Sequence, residues 1–174
     1  MVEIIFETHA STTDNEQGIA TGWLPGELSP AGREQAVALG QRRGRWAEVV
    51  FTSDLRRAVQ TAEIAFAGMV IPIVRDPRLR ECDYGDLNGS DTASLPRLRH
   101  IDVPFPNGES YRQVVARVGE FLVDLGAAWE GRRLVVIGHT ATRWAIEHLL
   151  LGRDLAEAVA APFAWQPGWA FRLP

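Results

Sequence analysis

The chain has 174 residues, of which 46% are hydrophobic and 23% charged, and these values are typical of one soluble globular domain spanning residues 1–174. Its net charge of −4 argues against a nucleic-acid partner, because nucleic-acid-binding domains usually carry a positive excess. All 18 basic side chains are arginines, which excludes Schiff-base chemistry, a pyridoxal-phosphate lysine and a P-loop lysine.

Cysteine occurs only at Cys82, so no intrachain disulfide can form, and a reducing compartment is indicated. The N-terminal residues lack the basic region of a signal peptide, and no apolar stretch reaches the length of a membrane span. We therefore expect a cytoplasmic protein that does not contact a membrane.

The first half of the chain predicts three strands and two helices. Ser29 is a good N-cap, and Pro30 suits the first helical position. Ser53 or Asp54 is expected to cap the second helix, and Pro72 indicates that the third strand lies at a sheet edge. The predicted elements are strand 2–6, helix 30–43, strand 49–52, helix 55–66 and strand 71–74.

The second half begins with a long irregular segment at residues 85–108, rich in Gly, Pro, Asp and Ser, and such segments are often functional. Ser110 and Gln113 form a capping box before an amphipathic helix that reaches at least residue 125. Gly152 should end the last helix. The other predicted elements are strand 133–137, helix 142–151 and edge strand 169–173.

The alternation of strands and helices predicts an α/β fold, a three-layer sandwich with a mainly parallel sheet and helices on both faces. An antiparallel sheet is disfavoured because the strands are apolar without period-two alternation. Ligands of such sheets bind beyond the carboxyl ends of the strands. We therefore compared the side chains that follow each strand.

Four chemically useful groups follow four successive predicted strands: His9, Arg57, Glu81 and His139. A single histidine at a strand end is more often structural than catalytic. Four such groups at one sheet edge favour a catalytic site over four independent structural roles. A neutral imidazole can attack phosphorus, a protonated second imidazole and an arginine can hold the phosphoryl oxygens, and a carboxyl group can transfer protons. This set predicts metal-independent phosphoryl transfer without a cofactor.

Several short motifs surround these groups: residues 8–15 (THASTTDN), Thr21-Gly22-Trp23, residues 28–32 (LSPAG), residues 53–62 (SDLRRAVQTA), Leu79-Arg80-Glu81 with Tyr84-Gly85, Gly108-Glu109-Ser110 and residues 135–139 (VVIGH). In their order, and over nearly the whole chain, these motifs resemble those of the histidine phosphatase superfamily, also called the phosphoglycerate mutase-like family.

The resemblance implies that His9 is the phosphorylated nucleophile and Glu81 the general acid and base, while Arg57 and His139 hold the phosphoryl group. It implies a phosphomonoester hydrolase that acts on a small phosphorylated metabolite. The expected substrate-binding residues, including two at strand ends, are Thr8, Asn15, Thr21, Gly22, Tyr84 and Thr140.

Two positions depart from the family pattern: Thr8 stands where the family has an arginine before the nucleophile, and Ala10 for the family's glycine is a smaller change. Losing one charge-assisted contact costs about 1.5–3 kcal/mol, or roughly tenfold to a hundredfold in rate. Such a protein could be a weak phosphatase, an enzyme for an unusual substrate, or an impaired relative that binds a phosphorylated or acidic ligand. Arg143, one turn past His139, could replace the charge, but a surface arginine is the favoured interpretation.

Thr21-Gly22-Trp23 points to phosphoglycerate mutases, whereas the length resembles the compact phosphatase branch, so both activities stay open. We favour the hydrolase because a looser site admits water. Cys82 is interpreted as an ordinary thiol, because Asn88 stands where a cysteine phosphatase needs arginine.

Asp54 with His9, His139 and Glu81 could bind a metal, but this site is disfavoured because no close ligand pair is present. His100 and His148 are interpreted as loop and helix residues without a partner. Trp165 and Trp169 could form a recognition surface, but core or homodimer packing is favoured. Arg97 and Arg99 are expected in a solvated loop.

Overall fold

The computed structural model describes residues 1–174 and contains seven strands and six α-helices. The strands are β1 (Val2–Thr8), β2 (Ile19–Ala20), β3 (Val49–Thr52), β4 (Ile73–Arg75), β5 (Ser90–Asp91), β6 (Arg133–Gly138) and β7 (Trp169–Leu173). The helices are α1 (Thr13–Glu16), α2 (Pro30–Arg43), α3 (Arg56–Ala65), α4 (Tyr111–Ala128), α5 (Thr140–Leu151) and α6 (Leu155–Ala160).

The main sheet has five strands in the order β4-β3-β6-β1-β7. The first four are parallel, and β7 runs antiparallel to β1. The predicted α/β class with a mainly parallel sheet is therefore confirmed. Both predicted edge strands, β4 and β7, lie at the edges.

Helices cover both faces of this sheet, as the three-layer prediction requires. Side chains of β6 alternate between the faces: Val135 and Ile137 pack with α2 and α3, whereas Leu134 and Val136 pack with α4 and α5. Because both faces are buried, the strand is apolar throughout. The carboxyl ends of β1, β3 and β6 meet at one edge of the sheet, where their following loops begin.

Several helix boundaries differ from the predictions. Helix α5 starts at Thr140 rather than residue 142, with His139 as N-cap. Leu55, not Ser53 or Asp54, is the N-cap of α3, and the Ser53 hydroxyl instead accepts a hydrogen bond from the Leu55 N–H. The short elements α1, α6, β2 and β5 were not predicted, because segments of two to six residues carry too little periodicity.

The segment at residues 85–108 is irregular, as predicted, and it is anchored in two ways. Its strand β5 pairs antiparallel with β2. Leu95 and Phe105 are buried in the core on the α4 and α5 face. This anchoring places the segment above the sheet edge that carries the predicted site. No helix is long and apolar enough to span a membrane.

Candidate active site

A cavity of about 700 Å³ lies at the edge of the sheet where β1 and β6 end. It brings together nine of the ten predicted site residues, and only His139 does not line it. The nine are Thr8, His9, Asn15, Thr21, Gly22, Arg57, Glu81, Tyr84 and Thr140. The convergence expected from the strand ends is therefore present in the tertiary structure.

His9 follows β1 and lines the cavity, and one of its two ring nitrogens is hydrogen-bonded within the protein. Its backbone N–H donates to the carbonyl of Gly138, and its Nδ1 lies 2.8 Å from the carbonyl oxygen of Ala10. A carbonyl only accepts, so Nδ1 carries the proton and Nε2 keeps its lone pair. Burial, with a smaller contribution from the positive charge of Arg57, lowers the pKa of His9 to about 3. The imidazole is therefore neutral near pH 7 and has a free nucleophilic nitrogen.

His139 lies behind His9 and is fully buried. The two ring centroids are 5.0 Å apart, and neither ring nitrogen of His139 has a hydrogen-bond partner. Burial, Arg57 and His9 lower its pKa well below the usual value. The imidazole is therefore neutral in the unliganded site, and the expectation of a protonated ring does not hold there.

Arg57 lies in the first turn of α3 and is only 3% exposed. Its Nη2 donates to the carbonyl of Gly22 at 2.8 Å, and its Nη1 donates to that of Leu24 at 3.4 Å. No carboxylate pairs with it, so its positive charge stays uncompensated at the cavity wall. Gly22 has φ of +54°, and a Cβ there would lie 1.8 Å from Oδ1 of Asn88, so glycine is required.

Glu81 follows β4 and is 8% exposed at the cavity wall. Its Oε1 accepts hydrogen bonds from the N–H groups of Cys82 at 2.8 Å and Ala141 at 3.3 Å. Burial raises the pKa of Glu81, although these bonds and Arg57 oppose the rise. A carboxyl group with a raised pKa can hold a proton for a leaving group.

Arg117 of α4 holds the segment that carries Glu81, and the sequence analysis missed it. Its guanidinium donates to the carbonyls of Arg78, Arg80 and Glu81 at 2.7–2.9 Å. It also forms an ion pair with Glu109. The available signal was an arginine inside an amphipathic helix, close to the Gly-Glu-Ser motif. The motif residue Glu109 thus acts by positioning this segment.

The other predicted substrate-binding residues differ in whether their polar atoms already have hydrogen-bond partners within the protein. Oδ1 of Asn15 accepts from the N–H of Thr12, while its Nδ2 has no partner and is available to a ligand. The Thr21 hydroxyl donates to Asp14 at 2.8 Å. Burial raises the pKa of Tyr84 well above its usual value, so this phenol stays protonated. The side chains of Thr8 and Thr140 line the cavity.

Three expectations need correction. Arg97, expected in a solvated loop, lines the cavity, and so does Trp165, expected in packing. Arg143 is not a surface arginine, since it is 7% exposed. Its guanidinium lies over the Trp169 ring at 4.6 Å and pairs with Glu147. It does not line the cavity, although its guanidinium lies 5.8 Å from the ring centroid of Phe163, which does.

Other residues have structural partners away from the chemistry. Asp54 forms a bidentate ion pair with Arg80 at 2.6–2.7 Å. Cys82 is fully buried, which raises the pKa of its thiol, and a protonated buried thiol is inert. Each histidine that was expected to be unpartnered bonds a carbonyl: His100 that of Val103, and His148 that of Arg153.

Comparison with known proteins agrees with this geometry. The family model described as histidine phosphatase superfamily (branch 1) matches residues 4–164. The chain belongs to this superfamily. A 2,3-bisphosphoglycerate-dependent phosphoglycerate mutase of Methylorubrum extorquens is 30% identical over 171 residues, covering 86% of this chain and 79% of the relative. Phosphoserine phosphatase 1 of Hydrogenobacter thermophilus is 31% identical over 169 residues, covering 90% and 80%.

Two solved structures show the same fold as this histidine phosphatase superfamily member. Bacillus stearothermophilus YhfR superposes with a TM-score of 0.83 at 24% identity, covering 96% of this chain and 88% of that one. A mycobacterial glucosyl-3-phosphoglycerate phosphatase in complex with VO3 has a TM-score of 0.78 at 31% identity, covering 92% and 87%. The superfamily relatives thus include both phosphatases and mutases.

Proposed function

We propose that this superfamily member is a phosphomonoester hydrolase that works through a phosphohistidine at His9 and requires no metal. The observation that carries the proposal is the contact between Nδ1 of His9 and the carbonyl of Ala10, which leaves Nε2 unprotonated toward a cavity with an uncompensated arginine. A nucleophile and a phosphoryl-binding cation therefore share one wall.

In the first step, Nε2 of His9 attacks phosphorus and forms the N–P bond as the bond from phosphorus to the ester oxygen breaks. The leaving oxygen takes the proton of the Glu81 carboxyl group, so the alcohol departs neutral. Arg57 compensates the charge on the phosphoryl oxygens, and the free Nδ2 of Asn15 can donate to them. The ring of His139 lies 5.0 Å from that of His9, and its one N–H would donate to an oxygen of the phosphoryl group.

In the second step, the Glu81 carboxylate takes a proton from water, and the resulting hydroxide equivalent attacks phosphorus. The N–P bond breaks, its electron pair returns to Nε2, and inorganic phosphate leaves. Glu81 is then protonated again and His9 neutral, so the cycle closes without a further reactant.

A mutase is the second candidate, because relatives such as the Methylorubrum protein are named phosphoglycerate mutases. In that reaction a substrate hydroxyl replaces water in the second step. Hydrolysis is favoured here because the cavity is wide enough for water to stay beside a bound substrate. The third candidate, an impaired ligand-binding relative, rests on Thr8, which supplies no charge beside the nucleophile.

The test compares wild type, His9→Ala and His148→Ala with p-nitrophenyl phosphate and a ³²P-labelled ester. We expect His9→Ala to lower turnover by about 10⁴-fold or more, as removal of a nucleophile does, and to abolish the acid-labile phosphoenzyme. His148→Ala should keep both, since His148 lies outside the cavity. EDTA should change nothing.

Turnover by His9→Ala at the wild-type rate would overturn the proposal. Phosphate binding without any labelled phosphoenzyme would instead favour the impaired relative. Transfer of the label to an added phosphoglycerate, faster than to water, would favour the mutase.

A further inference from the structure

The cavity is much larger than a phosphoryl group. A volume of about 700 Å³ lies within the roughly 300–1,000 Å³ range of pockets that hold whole drug-sized ligands. His9, Arg57, Asn15 and Glu81 form its inner end, where the phosphoryl group reacts. The rest of the cavity must face the alcohol part of the substrate, so the residues there describe that part.

The outer wall presents large aromatic surfaces. Trp165 is 60% exposed and Phe163 is 52% exposed, yet both line the cavity. Trp144 lines it as well and is buried. Exposed aromatic rings on a concave wall gain free energy when a flat apolar group covers them. The wall is thus suited to a ring.

The guanidinium group of an arginine lies near each of the two exposed rings. The guanidinium of Arg42 lies 5.9 Å from the Trp165 ring centroid, and that of Arg143 lies 5.8 Å from the Phe163 centroid. Arg143 is itself fixed by Trp169 and Glu147. Each exposed ring thus has one cation–π contact within about 6 Å.

Arg97 adds a free positive charge to the same cavity. It is half-buried, and no carboxylate of the protein pairs with its guanidinium. Arginines nearby behave differently, since Arg80 is paired with Asp54 and Arg117 with Glu109. Glu81 is the one acidic side chain that lines the cavity, and it forms no ion pair with Arg97. An anion from the ligand is the missing partner of Arg97.

We propose that the substrate is a phosphomonoester whose alcohol part carries a flat apolar ring and a second anionic group, with the ring against Phe163 and Trp165 and the anion on Arg97. This inference rests on the proposed function, since it places the ester phosphate at His9. Arg97 is then a specificity-determining residue for this chain.

The first experiment measures kcat/KM for phenyl phosphate and for its 3-carboxy and 4-carboxy derivatives. The variants are wild type, Arg97→Gln and, as a matched control, the exposed Arg99→Gln, which lies outside this cavity. We expect Arg97→Gln to lower kcat/KM about tenfold for at least one carboxylated ester, as the loss of a charge-assisted hydrogen bond does. It should change phenyl phosphate less than twofold, and Arg99→Gln should change neither.

The second experiment tests the ring by comparing 1-naphthyl phosphate with glycerol 2-phosphate. Trp165→Ala should lower kcat/KM for the naphthyl ester about fivefold, because contact area with the ring is lost, and leave the glycerol ester unchanged. Circular dichroism of each variant shows whether it folds. Binding is measured separately from turnover in the His9→Ala background. Titration of each ester, followed by quenching of tryptophan fluorescence, gives its Kd.

The outcomes separate this inference from the proposed function. Equal losses on charged and uncharged aryl esters in Arg97→Gln, with turnover still dependent on His9, would overturn the substrate class and keep the hydrolase. Turnover that survives His9→Ala would overturn the hydrolase. If wild type turns over no ester, the Kd values decide. Tighter binding of the carboxylated than of the uncharged aryl esters, lost in Arg97→Gln, supports the ligand class. Equal Kd values for the two kinds of ester reject it.

Discussion

The two ends of the cavity are built differently. At the inner end, Arg57 and Glu81 are each less than a tenth exposed. Arg57 lies in the first turn of α3, and Glu81 is held by hydrogen bonds from the backbone N–H groups of Cys82 and Ala141. At the outer end, Arg97, Phe163 and Trp165 lie outside the regular helices and strands of the main sheet and are half-buried or exposed. Groups that react need precise positions, which rigid elements and backbone hydrogen bonds supply. Groups that recognise the alcohol part sit where substitutions do not disturb the sheet.

The buried polar groups at and behind the inner end also lower the folding stability of the protein. Glu81 is a buried carboxyl group with a raised pKa, and both ring nitrogens of His139 lack partners. Such groups lower stability and are retained at functional sites. The clamp of Arg117 and the large core under α4 and α5 offset this cost. The comparison therefore predicts large effects on chemistry at the inner end and smaller effects on specificity at the outer end.

The largest effect should follow Glu81→Gln, which removes the proton donor and keeps the shape. Loss of general acid–base catalysis lowers rates by about 10²–10⁴-fold, so kcat for an ester with a poor leaving group, such as glycerol 2-phosphate, should fall in that range. The exposed Glu63→Gln is the matched control and should retain full activity. A decrease below tenfold would mean that Glu81 does not transfer the proton.

Arg117→Met should separate positioning from chemistry. The variant leaves three main-chain carbonyls without their donor and Glu109 without its ion pair, so we expect about 2–4 kcal/mol less stability to urea. Arg112→Met on the same helix removes an exposed ion pair with Asp102 and an exposed 3.4 Å contact with Nε2 of His148, and it should cost less than about 1 kcal/mol. Equal costs for the two variants would remove the special role of Arg117.

Thr8→Arg adds a cation at the inner end and tests whether a positive charge beside His9 raises activity. The Thr8 side chain lines an open cavity, so an arginine has room, and one charge-assisted contact should raise kcat/KM for small phosphomonoesters about tenfold to a hundredfold. Thr8→Gln separates size from charge and should give no gain. A loss in Thr8→Arg would mean that the native substrate occupies this space.

The pH profile of kcat/KM should reflect the two inner groups. His9 must be neutral, and its pKa of about 3 places the acid limb near pH 3. Glu81 must be protonated, and burial raises its pKa, so activity falls above that raised pKa by about tenfold per pH unit. Glu81→Gln should lose this basic limb. A limb that persists in the variant would belong to another group, such as the substrate phosphate.

Much of the inner site could be predicted because its signals are local. Ser29 and Pro30 mark the start of α2, and the apolar run at residues 133–137 marks a buried parallel strand. Parallel strands place their carboxyl ends at one edge, so His9 and His139 had to be neighbours once β1 and β6 were paired. The resemblance to the superfamily then supplied the roles, and the family match agrees with it.

The amino-acid sequence by itself determined the fold class and the set of groups that meet at the sheet edge, because periodicity, caps and strand ends depend on near neighbours in the chain. Only the tertiary structure decided which nitrogen of His9 is free, how deeply His139 is buried, and that Arg97 and Trp165 face the cavity. The orientation of the His9 ring and the burial of His139 depend on packing around the sheet edge. Arg97 and Trp165 lie in irregular segments, whose paths are set by contacts between distant residues rather than by local pattern.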